Sequence, residues 1–307
     1  MGKNRRRQVA RRQTEQQQEE PRRRRAVKWI VGAVLAAVAA LVSAAFTGVF
    51  TQTVHPQGIG DEVRDLFRPG TDLRITLLNM GRPGGGWSAV LPTDVTLPSD
   101  EHTRPGPLLG WPEEMQKAWL DSGAFMLRGV VLQVEVEGLR NQEITLFNVR
   151  PLTKMEQMPL GHVVDFGSQG GDALRMVFSL DEVNPMARIV DEQSPKGRAF
   201  FEEKRIGLTD GHKESLSLAF MAMRAAYSFD IAFDYEIGGE KRTQILKRDG
   251  QPFRVAPSIC ASEDRDNKLT AEDRARFAGL RYRSAVRSNF NTIPYSIEAV
   301  PPEKFCG

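Results

Sequence analysis

Residues 130–137 read VVLQVEVE, and this stretch carries the clearest structural signal in the chain. Apolar residues at every second position alternate with Gln133, Glu135 and Glu137, so an extended strand would have one apolar and one polar face. A strand with one face in water is typical of an antiparallel sheet. The stretch therefore predicts a fold built around a sheet with one solvated side.

Short runs of β-forming residues recur on both sides of this strand. They occupy residues 73–78, 87–91, 144–149, 162–166, 174–180, 216–222, 227–237, 242–247 and 253–256. Gly238 and Gly239 separate two of these runs, which is the composition of a tight hairpin turn. About nine such strands without long intervening helices predict a mainly β fold, an immunoglobulin-like β-sandwich with short peripheral helices.

Two helices are expected outside the sheets. Pro112 followed by two glutamates predicts a short helix over 111–120, because proline and acidic residues favour the first turn. Thr270 and Asp273 have the spacing of a capping box, which predicts a helix over 271–287 with a narrow apolar stripe.

Residues 29–50 read WIVGAVLAAVAALVSAAFTGVF and carry no charge. At about 1.5 Å per residue, a helix of this length reaches roughly 33 Å, enough to cross a hydrocarbon core of about 30 Å. Residues 1–28 hold eleven Lys and Arg against three Glu, and no comparable basic cluster follows the apolar run. The positive-inside rule therefore predicts a single-pass transmembrane helix with a cytoplasmic N-terminus and an extracytoplasmic remainder. The residues expected at the inner membrane interface are Arg22, Arg23, Arg24, Arg25, Lys28 and Trp29.

The apolar run has two other interpretations. Ser43 and Ala45 have a spacing that signal peptidase accepts, and Arg24 with Arg25 partly matches a twin-arginine signal, so a cleaved signal is an alternative. Against it, the run is longer than the usual 7 to 15 or so apolar residues. A buried core helix fits this length and these flanks poorly. The anchor and the cleaved signal both place the C-terminal part outside the cell membrane.

The leader, residues 1–28, is polar and rich in Gln and Arg, so it is predicted to be disordered. Its basic clusters are expected to rest on the anionic headgroups of the lipid bilayer. The leader carries a net charge of +8 and the whole chain +3, so the remainder is mildly acidic. The folded part is therefore not expected to bind nucleic acid.

The sequence divides into five parts. Residues 1–28 are the disordered basic cytoplasmic leader, 29–50 the transmembrane helix, 51–70 a juxtamembrane linker, 71–260 the extracytoplasmic β-sandwich, and 261–307 a C-terminal helix and extended tail clipped to the sandwich. Cys260 and Cys306 are the two cysteines of the chain, and both are expected in an oxidising compartment. They predict an internal disulfide, with a free buried thiol or an intermolecular bridge as alternatives.

Motifs that carry chemistry are scarce. The four histidines have no paired ligand spacing, the glycines at 84–86 lack the residues of a phosphate loop, and the acidic stretch at 263–267 departs from a calcium loop. No cofactor, metal or catalytic residue is therefore assigned. Trp87 and Trp111 are candidate partner contacts.

Several segments resemble a known group of proteins. ITLFNVRPL at 144–152, RMVFSLDEVNP around 176–185, FFEEKRIGLTDGHKESLSLAF at 200–220 and GQPFRVAP at 250–257 are similar to uncharacterised actinobacterial single-pass membrane proteins with a β-rich extracytoplasmic domain. The resemblance covers roughly residues 124–257 and implies the same topology. It implies no activity and supplies no catalytic residues.

Two classes of function follow from these observations. The first is a binding or scaffold module of the cell envelope, tethered to the membrane, whose partner is an envelope protein or a wall component. The second is a membrane-anchored envelope enzyme, which would need a pocket that gathers His162 or His212 with acids such as Asp165 or Asp210.

Overall fold

The computed structural model describes residues 70–306, apart from 84–85, 96, 98–112, 168–175, 192–193, 261–268 and 290–295. The predicted leader, its interface residues from Arg22 to Trp29, the transmembrane helix, most of the linker and Trp111 lie outside the described residues. Among the helices of the described part, none is long and apolar enough to cross a bilayer.

Strands dominate the described part of the chain, which confirms the prediction of a mainly β fold. The first eight strands are β1 (Leu73–Gly81), β2 (Gly86–Leu91), β3 (Phe125–Leu127), β4 (Gly129–Gly138), β5 (Ile144–Glu156), β6 (His162–Gly167), β7 (Met176–Ser179) and β8 (Arg188–Asp191). The other eight are β9 (Ser194–Ala199), β10 (Ile206–Leu208), β11 (Lys213–Met221), β12 (Ala226–Ile237), β13 (Glu240–Leu246), β14 (Phe253–Ala256), β15 (Ser284–Asn289) and β16 (Ser296–Val300). The helices are α1 (Glu113–Asp121), α2 (Phe200–Glu203), α3 (Ala271–Ala278) and a 3₁₀ turn at Pro302–Lys304.

The first sheet contains six strands in the order β1-β4-β11-β7-β8-β9. Strand β4 lies between β1 and β11 and pairs antiparallel with both. Its alternate apolar residues are buried, while Gln133, Glu135 and Glu137 are half-buried on the opposite face. The strand predicted from residues 130–137 and its antiparallel pairing are therefore confirmed.

The second sheet follows the order β10-β5-β12-β14-β3-β2-β6-β15-β16, with β13 paired to β12 beside β14. It is mixed, because β3 pairs parallel with β14 and β6 pairs parallel with β15. The sequence predicted about nine strands, and the structure has more because several are too short for a visible alternation. Strands β3 and β10, for example, have three residues each.

One hydrophobic core contains residues of both sheets. Phe220 of β11 packs against Phe229 of β12 with ring centroids 4.7 Å apart. Phe220 also stacks on Phe178 of β7 at 4.6 Å. Aromatic burial of this kind supplies much of the hydrophobic stabilisation in a core.

A second, smaller core lies on the opposite face of the ten-stranded sheet. Val163 of β6 belongs to it, whereas the next residue, Val164, belongs to the first core. Successive side chains of a strand point to opposite faces, so the sheet is covered on both sides at β6. The outer cover is the C-terminal part of the chain, including Phe277 of α3 and Phe305.

The capping box at Thr270 is confirmed, but the predicted helix over 271–287 is too long. The Thr270 hydroxyl accepts a hydrogen bond from the backbone N–H of Asp273 at 3.1 Å, and the Asp273 carboxylate accepts one from the Thr270 N–H at 3.2 Å. The helix ends at Ala278, and Gly279 follows as its cap. The next residues form β15 instead, and β16 replaces part of the extended tail, because β15 pairs with β6 and completes the sheet edge.

The sheets give the domain two ends. The linker end contains the beginning of β1 and the connections at 138–143, 209–212 and 238–239. The far end contains Gly81, Gly129, Ser179 and Met221, where β1 and β11 end, β4 begins and β7 stops beside β11. Strand β1 has nine residues, so the two ends are roughly 30 Å apart at about 3.3 Å per residue.

Candidate functional site

A disulfide joins Cys260 to Cys306, which confirms the predicted internal pairing. Cys260 is buried in the second core, and Phe305 beside Cys306 is buried there too. The Phe305 ring meets the Tyr282 ring edge-on at 5.7 Å. The bond therefore fixes the C-terminal tail against the ten-stranded sheet.

A buried ionic network surrounds Asp72 at the linker end. Arg140 donates from Nε to one oxygen of the Asp72 carboxylate at 2.8 Å. Arg242 and the Tyr235 hydroxyl donate to the other oxygen at 2.7 and 2.9 Å. These partners come from the β4–β5 connection, β12 and β13, so one carboxylate ties the start of β1 to three other parts of the fold.

The network changes the acidity of its members. Burial alone would raise the pKa of Asp72, but the hydrogen bonds from Arg242, Tyr235 and Arg140 outweigh it and hold the pKa below its usual value. Burial, with the hydrogen bond to Asp72, raises the pKa of Tyr235 to about 12. Near neutral pH, Asp72 is therefore charged and Tyr235 is neutral. Their hydrogen bonds hold the start of β1 in place.

The two histidines named by the enzyme alternative lie in different parts of the fold. His162 contacts the Ser284 hydroxyl through Nδ1 at 2.7 Å and the Thr93 carbonyl oxygen through Nε2 at 3.4 Å. Asp165 is three residues further along β6, so its side chain lies on the opposite face of the sheet. His212 and Asp210 are in the connection before β11, at the linker end. A serine and a histidine in contact, without an orienting carboxylate, do not complete a hydrolase triad.

Trp87 is not available as a partner contact. Its side chain is 2% exposed and packs against Trp119 with ring centroids 5.4 Å apart in the first core. The sequence prediction for this residue was wrong because Trp87 lies on the face of β2 that points between the sheets.

A hollow between Met80, Leu120, Val130 and Phe253 has a volume of about 10 Å³, which is room for one water molecule. No group of three or more His, Cys, Asp or Glu in the described part could hold a metal ion.

The far end carries a firmly held loop that exposes apolar side chains. In this loop, residues 181–187 between β7 and β8, Val183 is 95% exposed and Met186 is 40% exposed. Asp181 accepts hydrogen bonds from the backbone N–H groups of Met223 and Arg224 at 2.8 and 3.2 Å. Pro185 and Ala187 of the loop are buried, so the loop is anchored at several points while Val183 faces solvent. We name residues 181–187 the apolar loop.

The carboxylate of Asp181 also accepts a hydrogen bond from the Tyr227 hydroxyl at 3.1 Å. Burial, and then the charge of Asp181, raises the pKa of Tyr227 to about 12, so this donor keeps its proton near neutral pH. Sequence reasoning missed the loop. The signal was present in the segment LDEVNP at 180–185, where a turn-forming Asn-Pro pair follows an exposed valine.

A polar cluster lies elsewhere at the far end, at the margin of the second core. Asp165 of β6 is opposite Ser88 of β2 and opposite Arg287 of β15, and Arg82 reaches it from the β1–β2 connection. The sequence analysis gave Asp165 as a candidate acid for the enzyme alternative. Its partners are far apart along the chain and were not foreseen.

Comparison with protein-family models, with curated proteins and with solved structures finds no match.

Proposed function

We propose that this protein is a membrane-tethered extracytoplasmic module that binds or organises another component of the cell envelope. The uncharged run at 29–50 and the basic residues before it support the tether, with the N-terminus in the cytoplasm. Two sheets that share one core support an immunoglobulin-like β-sandwich as the outer domain. An envelope protein or a wall component is the proposed class of partner.

The observation that carries the proposal is the apolar loop at the far end. Val183 and Met186 lie three residues apart in one loop and expose apolar side chains that a partner would cover. Here Asp181 and the buried Pro185 already order the loop. A partner that covers Val183 and Met186 therefore pays little conformational entropy on binding.

The Asp72 network supports the same arrangement. It fixes the first residues of the domain, Gly70 to Leu73, by the Arg140 contacts to Asp72 and to the Gly70 carbonyl at 2.8 and 3.0 Å. A folded part whose first described residues are fixed in this way is compatible with a tether that precedes it in the sequence.

Protease protection tests the topology. Protease added to spheroplasts should remove a C-terminal tag from the full chain and spare an N-terminal one. The same tags in lysed cells, where both should be lost, are the control. Protection of the C-terminal tag in intact spheroplasts would contradict the tether as proposed.

Site-specific photo-crosslinking in cells tests the binding surface. Met186 in the apolar loop and Ile245 in β13 are matched positions, since both are apolar and are 40% and 41% exposed. A photo-reactive residue at 186 should give a discrete adduct that the same residue at 245 does not give. Val183→Asp should reduce that adduct. Identical adducts from both positions, or an adduct unaffected by V183D, would refute a partner at the loop.

A further inference from the structure

Among the side chains that the structure describes, two guanidinium groups and one carboxylate form the cluster around Asp165. Arg82 donates to Asp165 from Nη1 at 2.8 Å, and Nε of Arg287 lies 3.8 Å from the other carboxylate oxygen. One carboxylate thus faces two guanidinium groups, and Ser88 adds a short hydrogen bond from its hydroxyl to the same carboxylate. The side chains of Arg82, Asp165 and Arg287 are 23%, 17% and 36% exposed. Two guanidinium groups held beside one carboxylate attract a further anion.

Both guanidinium groups are held in place before any ligand arrives. Nη1 of Arg82 also donates to the Ser88 hydroxyl at 2.8 Å. Nη2 of Arg287 donates to the Phe305 carbonyl oxygen at 2.7 Å, and its guanidinium lies over the Phe305 ring at 4.9 Å. Fixed donors lose little entropy when they bind a ligand.

Each arginine retains donors for a ligand. Within the described residues, Arg82 donates from Nη1, and Arg287 uses Nη2 and Nε. Among those same residues, Nη2 of Arg82 and Nη1 of Arg287 have no protein acceptor. Guanidinium groups bind carboxylate and phosphate oxygens with short, charge-assisted hydrogen bonds.

We propose that Arg82 and Arg287 form a binding site for an oxyanion, a phosphate or carboxylate group carried by a soluble ligand or by an envelope polymer. The cluster lies at the far end, where β1 ends and β2 begins. The site needs no tether to function. Its failure would therefore leave the proposed topology untouched, and the reverse also holds.

Calorimetric titration of the full chain in zwitterionic nanodiscs, at constant ionic strength, tests the site. Sodium phosphate and sodium acetate are the probes, and sodium chloride is the reference. Phosphate should bind, and Arg82→Gln or Arg287→Gln should each weaken binding by about tenfold, because each removes one charge-assisted contact. Arg188→Gln is the matched control, since Arg188 is 31% exposed in an ion pair elsewhere and its loss should leave phosphate affinity unchanged.

Asp165→Asn separates binding from folding. A purely structural cluster would be loosened by this change, whereas an anion site loses its one competing carboxylate and should bind phosphate about tenfold more tightly. Vesicles containing phosphatidylglycerol should not compete with phosphate. The proposal is overturned if phosphate and acetate give no more heat than chloride, if R188Q weakens binding as much as R82Q, if D165N binds more weakly, or if the vesicles displace phosphate.

Discussion

Removal of the disulfide should loosen the C-terminal part of the chain before the rest of the domain unfolds. The perturbation is Cys260→Ser with Cys306→Ser, or reductant added to the unchanged chain. The two cysteines are 46 residues apart, and closing a loop of this length contributes about 4 kcal/mol in the chain-entropy model. Helix α3 has eight residues, too few to be stable alone, so its order depends on packing against the second core.

The first core does not need the bond. Its residues come from both sheets, and the disulfide touches only the smaller cluster that contains Tyr282 and Phe305. A loss of about 4 kcal/mol from the local opening free energy would speed amide exchange in α3 and β15 by up to about a thousandfold. The amides of β4 should exchange at an unchanged rate.

Hydrogen exchange followed by mass spectrometry, on the full chain with and without reductant, measures both regions at once. Cys260→Ala with Cys306→Ala controls for the hydroxyl groups that serine introduces into a buried position. Unchanged exchange over 271–289 after reduction would refute the reasoning. Equal acceleration in β4 and in α3 would refute it too, because it would show one cooperative unit.

Three further predictions concern single residues. Asp72→Asn should cost about 3 to 5 kcal/mol of unfolding free energy at pH 7, because it removes the carboxylate that pairs with the buried Arg140 and with Arg242, and chemical denaturation should show the loss. Asp249→Asn, at a 70% exposed side chain, should cost almost nothing. Because the pKa of Asp72 is lowered in the folded state, its contribution to the unfolding free energy is present above about pH 4 and disappears as pH falls through the lowered value. In urea titrations, the unfolding free energy of D72N should therefore decrease less at acidic pH than that of the unchanged protein. The pKa of Tyr235 is raised to about 12, so its contribution to stability is complete below about pH 10 and is lost between pH 10 and 12. The melting temperature of Tyr235→Phe should therefore fall less over this pH range than that of the unchanged protein. Phe305→Ala should cost about 3 to 5 kcal/mol and reproduce the exchange pattern of the reduced protein, and a silent variant would show that the second core does not depend on this ring.

Local patterns in the sequence were sufficient for the features that depend on neighbouring residues. The alternation at 130–137 identified β4 and its wet face, Thr270 and Asp273 identified the start of α3, and Gly238 with Gly239 identified the β12–β13 hairpin. The disulfide was predictable from compartment and count alone, since the chain has two cysteines. In each case a short-range physical preference agrees with the tertiary structure.

The remaining features depend on contacts between distant residues. The stretch from Ser284 to Asn289 continues a weak helical pattern, yet it is a strand because β6 offers it a free edge. Asp72 meets Arg140 and Arg242 across separations of 68 and 170 residues. No local sequence pattern specifies contacts at such separations, so neither the Asp72 network nor the Asp165 cluster could be predicted from the sequence.

Arg287 connects the C-terminal tail to the chemistry of the far end. Its guanidinium is positioned by the carbonyl and the ring of Phe305, and Phe305 directly precedes the cysteine that is bonded to Cys260. The side of the Asp165 cluster formed by Arg287 is thus held by the same covalent bond that holds the second core. A cluster of charged side chains at a domain surface gains precision when its supports are rigid, and here the support is a disulfide rather than a further layer of packing. The C-terminal residues therefore stabilise the position of the Arg287 side chain as well as covering the ten-stranded sheet.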